Sequence, residues 1–305
     1  MRSLILKSPA KLNLYLNVIG KRRDGYHSLY SLFERIDLCD EITLTARTDS
    51  AIKISSTSSQ IPSNSSNLAY TAAQLLKETL KICSGVSIRI KKRIPVAAGL
   101  GGGSSNAASV LLGLNRLWRL GLTKKDFLRF SQQIGSDVPF FVCGNRFSIA
   151  TGRGEKLKNV TSMKSLWHIV VVPRRKVSTK VVYKALRWNK TKSGASSCAK
   201  MTTYTNLLTK SRDNANMLIH ALDRHNLPMA QRYVFNALEK PAVRLCPSIS
   251  MIKRTLSSLG VEVCALSGSG PAVFGIVNSR KEAMRICRAV KAKQKQWQVF
   301  GVRTY

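Results

Sequence analysis

Residues 95–109 read Pro-Val-Ala-Ala-Gly-Leu-Gly-Gly-Gly-Ser-Ser-Asn-Ala-Ala-Ser, a glycine-rich loop running directly into the start of a helix. Of Gly99, Leu100, Gly101, Gly102 and Gly103, all but Leu100 lack a Cβ. The backbone there can take positive φ and bring its N–H groups close to a ligand. Ser104 or Ser105 is expected to cap a helix that runs through Ala107, Ala108, Val110, Leu111, Leu112 and Leu114 to Trp118. The unpaired N–H groups and the dipole of a first helical turn favour an anion, so a nucleotide phosphate is the first ligand to consider.

The loop has neither the Lys-Ser/Thr ending of a P-loop nor the spacing of a dinucleotide fingerprint. An isolated glycine run is more often a flexible connection. Here Lys92, Arg93, Ile94 and Pro95 lead out of the alternating apolar residues Val86, Ile88 and Ile90. A strand and a strong helix therefore bracket the run, and the linker reading is the weaker one.

With 305 residues, 44% of them hydrophobic, the chain can bury the cores of two domains. No apolar run reaches membrane-spanning length. A motif begins at Ser8, which leaves little room for a leader, and seven cysteines are scattered singly without a C-x-x-C pair. Both features lead us to expect a cytoplasmic protein with reduced thiols and no zinc site. Fifty Lys and Arg against 15 Asp and Glu give a net charge of +35. Such a surplus raises the possibility of a nucleic-acid partner, yet the basic residues are spread along the chain. Lys281, Arg285, Arg288, Lys291 and Lys295 recur at helical spacing and read as a solvated face, while Arg174, Arg175 and Lys176 are expected on a loop. Nucleic acid is expected to bind only through non-specific charge attraction.

Periodicity predicts strands at 12–18, 42–45, 52–55 and 86–90, with helices at 68–80, after the glycine loop, and at 124–134. Residues 56–66 read as a loop. The second half is expected to hold a strand at 169–172, a polar stretch at 190–200 and helices near 214–222, 229–234 and 248–259. Strands at 263–266 and 272–277 and a helix at 282–293 follow. The pattern is α+β, with two halves meeting near residues 155–168.

The order Pro, three residues, Gly-Leu-Gly, then small residues opening a helix resembles the second motif of the GHMP kinases. The triple glycine followed by Ser-Ser-Asn-Ala-Ala is similar to the CDP-methylerythritol kinase family within that superfamily. Residues 8–16 and 23–29, with Gly25-Tyr26-His27, resemble its first motif, and residues 266–274 resemble its third. The loop departs from the family pattern in carrying Ala97 and Ala98 where further glycines are usual. Alanine resists φ > 0, so a left-handed conformation is not expected there.

The resemblance implies a two-domain GHMP kinase fold. Residues 1–160 would form an ATP-binding domain with a left-handed β-α-β crossover, and residues 161–305 a ferredoxin-like domain. It also implies transfer of phosphate from ATP, with Mg²⁺, to the 2-hydroxyl of 4-diphosphocytidyl-2-C-methyl-D-erythritol, in the non-mevalonate route to isoprenoid precursors. By carry-over, Asp137 in Gly135-Ser136-Asp137-Val138-Pro139 and Lys11 are the catalytic pair. Pro95, Val96, Ala97, Ala98, Gly99, Leu100, Gly101, Gly102, Gly103, Ser104 and Ser105 hold ATP, with Asn67 and Lys92 near the adenine. Asn13, Tyr26, His27 and Tyr183 bind the acceptor, the aromatic rings by stacking on cytosine. Ser104 or Ser105 is a candidate to touch the metal, and no protein metal ligand is assigned. The alternatives are another GHMP kinase with a different small alcohol, or a basic RNA-binding protein. A salt-dependent RNA complex without ATP turnover would mark the latter.

Overall fold

The longest run of backbone pairing joins β1 (Ser3–Lys21) to β2 (His27–Arg47), antiparallel from Ser3↔Thr45 to Lys21↔His27 with register shifts along the way. The structure is a computed structural model describing residues 2–186 and 197–305, with the side chains of 197–202 left undescribed. Residues 190–196 of the polar stretch expected at 190–200 lie outside the described residues.

After β2 come β3 (Ile52–Ser56), α1 (Leu68–Leu80), β4 (Gly85–Lys91), α2 (Gly102–Leu117), α3 (Lys124–Ile134), α4 (Val138–Cys143), β5 (Phe147–Gly152) and β6 (Lys156–Asn159). The second half contains β7 (Trp167–Val172), α5 (Thr179–Ala185), α6 (Ser197–Asp223), α7 (Leu227–Tyr233), β8 (Phe235–Asn236), α8 (Glu239–Leu245) and α9 (Ser248–Ser258). It ends with β9 (Val263–Leu266), β10 (Val273–Val277), α10 (Arg280–Lys293) and β11 (Gln298–Arg303).

Local chemistry explains these elements. In α1, Ala69, Ala72, Ala73 and Leu76 fall on one buried face, and Asn67 caps the helix by accepting from the Ala69 N–H at 3.0 Å. Thr123 and Asp126 close a capping box on α3. β3 and β4 pair in parallel across α1, a β-α-β crossover. β2 is central: one edge takes β1, while the other is shared by β4 along Glu41–Arg47 and β5 along Leu29–Glu34. Between those partners Ile36 forms an isolated antiparallel bridge with Thr304, and beyond Glu41 the chain leaving β4 turns off the sheet.

Apolar periodicity does not mark the first half of β2 as a strand. Its buried residues include Ser28, Ser31 and Glu34, which mask the pattern.

The second sheet has the order β11-β7-β10-β9 with every pair antiparallel, and its chain order is the β-α-β-β-α-β of a ferredoxin-like domain. One face packs on α9 and α10 through Ile249, Ile252, Leu256, Ile286 and Val290. The other meets Leu12, Leu14 and Ile36 of the first sheet and Ala215 and Leu218 of α6. With both faces covered, β7 reads as the unbroken apolar run Ile169–Val172. A buried polar link crosses between the sheets: Glu34 lies 2.9 Å from His168 Nε2 and accepts from the Thr304 hydroxyl at 2.6 Å.

Lys281, Arg285, Arg288, Lys291 and Lys295 are exposed, as are Arg174, Arg175 and Lys176 on the loop after β7. Among the described residues no helix is long and apolar enough to cross a membrane.

Candidate active site

A cleft of about 1120 Å³ runs between the glycine loop, α4, the 22–27 turn and α5. Its floor is set where β4 ends. Asp40 accepts the N–H groups of Arg93 and Ile94 at 2.7 and 2.8 Å and turns the chain into the loop. Three consecutive loop carbonyls are then taken by neighbours: Ala98 by the Ala272 N–H at 3.1 Å, Gly99 by the Ser267 hydroxyl at 3.1 Å and Leu100 by the Lys11 N–H at 3.0 Å. The N–H groups from Val96 to Ser104, by contrast, have no acceptor among the described residues. Backbone donors left in this state require an outside partner.

The conformation of the loop suits such a partner. Ala97, Gly99 and Gly101 are left-handed, with φ of 55°, 79° and 70°. Left-handed residues interspersed along a loop curl successive N–H groups toward one side, forming an anion nest. Ala97 therefore corrects the expectation that alanine would avoid positive φ here. The conformation costs about 1–3 kcal/mol, borne by the packing on either side. At Gly99 a Cβ would lie 2.1 Å from the Ser267 carbonyl oxygen, and at Gly101 one would lie 3.0 Å from both Lys11 Cγ and Phe141 Cζ.

The capping expectation is also corrected. Gly101 is the N-cap of α2 and makes no side-chain cap bond, so Ser104 and Ser105 lie within the first turn. Gly101 is suited to the left-handed cap geometry, and the first-turn N–H groups stay free. The two serines divide. Ser104 lines the cleft, whereas Ser105 is buried with Ser8 Oγ 2.8 Å from its hydroxyl. Ser8 Oγ also lies 2.8 Å from Asn106 Oδ1, which turns Asn106 into the cleft lining.

Lys11 projects from β1 with 4% of its surface exposed, and its Nζ lies 3.7 Å from Asp137 Oδ2 and 5.1 Å from the Phe33 ring centre. It also donates to Asn13 Oδ1. Burial pulls the Lys11 ammonium below its ordinary pKa, and the Asp137 charge opposes that shift. Asp137 stands at the head of α4, where its side chain makes no capping bond and keeps 32% of its surface open. The pair places a free carboxylate beside a buried cation.

At the other end, His27 and Tyr183 stack with centroids 5.0 Å apart and planes 31° off parallel. Burial drives the Tyr183 phenol up to about 12. Burial, with Lys21 nearby, lowers the His27 pKa. Tyr26 belongs to the exposed turn, 53% accessible, and its ring carries the Arg153 guanidinium at 4.9 Å. The described ring partner of Tyr183 is thus His27. Asn13 donates from Nδ2 to Ser31 at 2.9 Å. Asn67 and Lys92 both line the cleft while serving the fold, Asn67 as the cap of α1 and Lys92 in an ion pair with Asp40 at 2.7 Å.

Among the residues assigned from sequence, the cleft lining includes Lys11, Asp137, Asn13, Asn67, Lys92, Tyr26, His27, Tyr183 and the loop from Pro95 to Ser104. Ser105 faces away. Reading the sequence missed Asn106 and Arg153. The Gly-Arg-Gly at 152–154 was the available signal for Arg153, since a hairpin tip aims its middle residue outward.

Residues 67–145 match the model of the GHMP kinases N terminal domain, and residues 218–296 that of the GHMP kinases C terminal. The 4-diphosphocytidyl-2-C-methyl-D-erythritol kinase of Bacillus cytotoxicus is 39% identical over 98% of this chain and 96% of its own, and that of Bacillus cereus strain B4264 has the same identity and coverage. A crystal structure of 4-(cytidine 5'-diphospho)-2C-methyl-D-erythritol kinase superposes with a TM-score of 0.77 at 32% identity, covering 98% of each chain. L. major mevalonate kinase, solved with R-mevalonate, shares the fold at a TM-score of 0.74 and 16% identity over 99% of this chain and 96% of that one. With the models of both domains matched and relatives 39% identical over 98% of its length, the chain belongs to the 4-diphosphocytidyl-2-C-methyl-D-erythritol kinase family of the GHMP kinases.

Proposed function

We propose that this protein transfers the γ-phosphoryl group of ATP to the tertiary 2-hydroxyl of CDP-methylerythritol. The observation that carries the reading is the run of N–H groups from Val96 to Ser104, without protein acceptors and beside the Lys11–Asp137 pair. Phosphoryl transfer asks mainly for positioning and charge stabilisation, which such a loop supplies to a triphosphate.

In this mechanism the loop amides and the N-terminus of α2 hold the ATP phosphates. Asp137 takes the proton of the acceptor hydroxyl, that oxygen forms the new bond to the γ-phosphorus, and the bond to the bridging oxygen of ADP breaks. Lys11 keeps Asp137 ionised and offsets charge on the transferring group. Among the described residues no cluster of three His, Cys, Asp or Glu could hold a bare ion. A magnesium ion would come with the nucleotide phosphates and neutralise their charge, and Ser104, which lines the cleft, would be the side chain to hold it. The acceptor's cytosine packs at the His27–Tyr183 end, with Tyr26, and Asn13 meets the tetritol. Such an enzyme works in the cytoplasm.

A coupled assay with ATP and a panel of alcohols tests this. Turnover is expected with CDP-methylerythritol and very little with free methylerythritol. Equal turnover of alcohols lacking cytidine would leave the kinase and remove the substrate assignment.

A further inference from the structure

Asp40 lies outside the reaction described above, yet it is one of the most completely engaged carboxylates in the molecule. Its side chain is fully buried on β2. Oδ1 accepts the Arg93 and Ile94 N–H groups, and Oδ2 accepts from Lys92 Nζ at 2.7 Å. Lys92 Nζ also donates to the Ile94 carbonyl. Two of the three ammonium protons are thereby placed, and the third has no acceptor among the described residues. The ammonium stands at the entrance of α2: a Cβ on Gly102, the first residue of that helix, would lie 3.1 Å from Nζ. A cation is repelled by the positive end of a helix dipole. Its presence there is favourable only if a strong anion shares the site or a counter-charge is fixed beside it, and Asp40 is that counter-charge.

The geometry points to Asp40 as a positioning residue that holds the Lys92 ammonium at the N-terminus of α2, where its unspent N–H serves the nucleotide phosphates and not the adenine. This rests on the proposed reading of the loop as the ATP site. The same carboxylate bonds the two amides that open the loop, so it couples the loop's entry angle to the cation. No other ionisable side chain contacts Lys92 among the described residues. α2 brings Gly102, the chain brings Ile94, and the flanking Lys91 and Arg93 are exposed. Burial lowers the Lys92 pKa while Asp40 raises it, so removing the carboxylate lets the ammonium lose its proton at lower pH.

The experiment is calorimetric titration of ATP and of adenosine against the wild type, Asp40→Asn, Lys92→Gln and the double variant between about pH 6.5 and pH 9. Asp40→Asn is expected to weaken ATP binding roughly tenfold to a hundredfold, the range for a hydrogen bond to a charged group. The loss should grow as pH rises, with adenosine binding unchanged. In the Lys92→Gln background, adding Asp40→Asn should cost nothing more. If Asp40→Asn does not fold, Lys92→Gln alone must show the loss for ATP and not for adenosine. Equal losses for both ligands, or an Asp40→Asn cost that persists without the lysine, would overturn the proposal. A wild type that binds no ATP would instead defeat the reading of the loop.

Discussion

The two ends of the cleft are built on opposite plans. At the end proposed to take phosphates the cleft presents backbone N–H groups, and the loop carrying them is held by Lys11, Ser267 and Ala272, which take its carbonyls. At the other end the groups are side chains, Tyr26, His27, Arg153 and Tyr183, supplied by a turn, a strand end, a hairpin tip and a short helix. The first plan recognises charge and tolerates little change in shape. The second recognises a particular surface and leaves room for adjustment.

The sharpest division falls where the ends meet. Asp137→Asn keeps the side-chain shape and should leave both ligands bound while turnover falls roughly 10² or more, the scale of general-base contributions. Single-turnover kinetics would check it, and near-normal turnover would take Asp137 out of the chemistry.

Next in size, Gly101→Val tests the claim that the phosphate end tolerates little. It forces a β-branched residue into φ 70° against Lys11 and Phe141, at an expected cost of about 3 kcal/mol or more from strain and overpacking. Both ATP affinity and thermal stability should fall. Thermal denaturation unchanged from wild type would mean that the loop is softer than its contacts imply.

Tyr26→Ala probes the adjustable end. Base-aromatic stacking is worth about 1–3 kcal/mol, so affinity for the cytidine substrate should drop by roughly tenfold to a hundredfold, with ATP affinity and stability unmoved because the ring is exposed. A parallel loss of ATP binding would erase the distinction between the ends.

The smallest effect is in pH. Because burial and Lys21 lower the His27 pKa, the ring stays neutral through the ordinary imidazole midpoint of about 6.5. Substrate affinity should hold flat as pH falls past that value and weaken only below it, where the ring gains a proton. A His27→Gln variant should lack the acid limb. A break at or above the ordinary midpoint would contradict the assigned environment.

The same contrast governs what could be read from sequence. The glycine-loop end depends on backbone chemistry, so the glycine run marked its left-handed backbone, and α1, α3 and β9 followed from apolar periodicity over the residues they occupy. Ala97 escaped because its left-handed φ of 55° runs against alanine's own preference. The cap at Gly101 escaped because serine is the usual N-cap, whereas the left-handed φ of 70° at this position suits glycine. Asn106 is turned by Ser8, 98 residues away, and Arg153 meets Tyr26 only through the fold. Neither pairing leaves a mark in local spacing.

Two of the three closed carbonyls of the glycine loop are taken by residues that lie 168 and more positions downstream, Ser267 on Gly99 and Ala272 on Ala98. During synthesis the loop leaves the ribosome early and waits for almost the entire second domain before its last supports arrive. Long-range closure of this kind is slow. The glycine loop should therefore be among the last parts of the growing chain to reach its final shape, and a ligand that binds only the folded chain would brace the finished molecule.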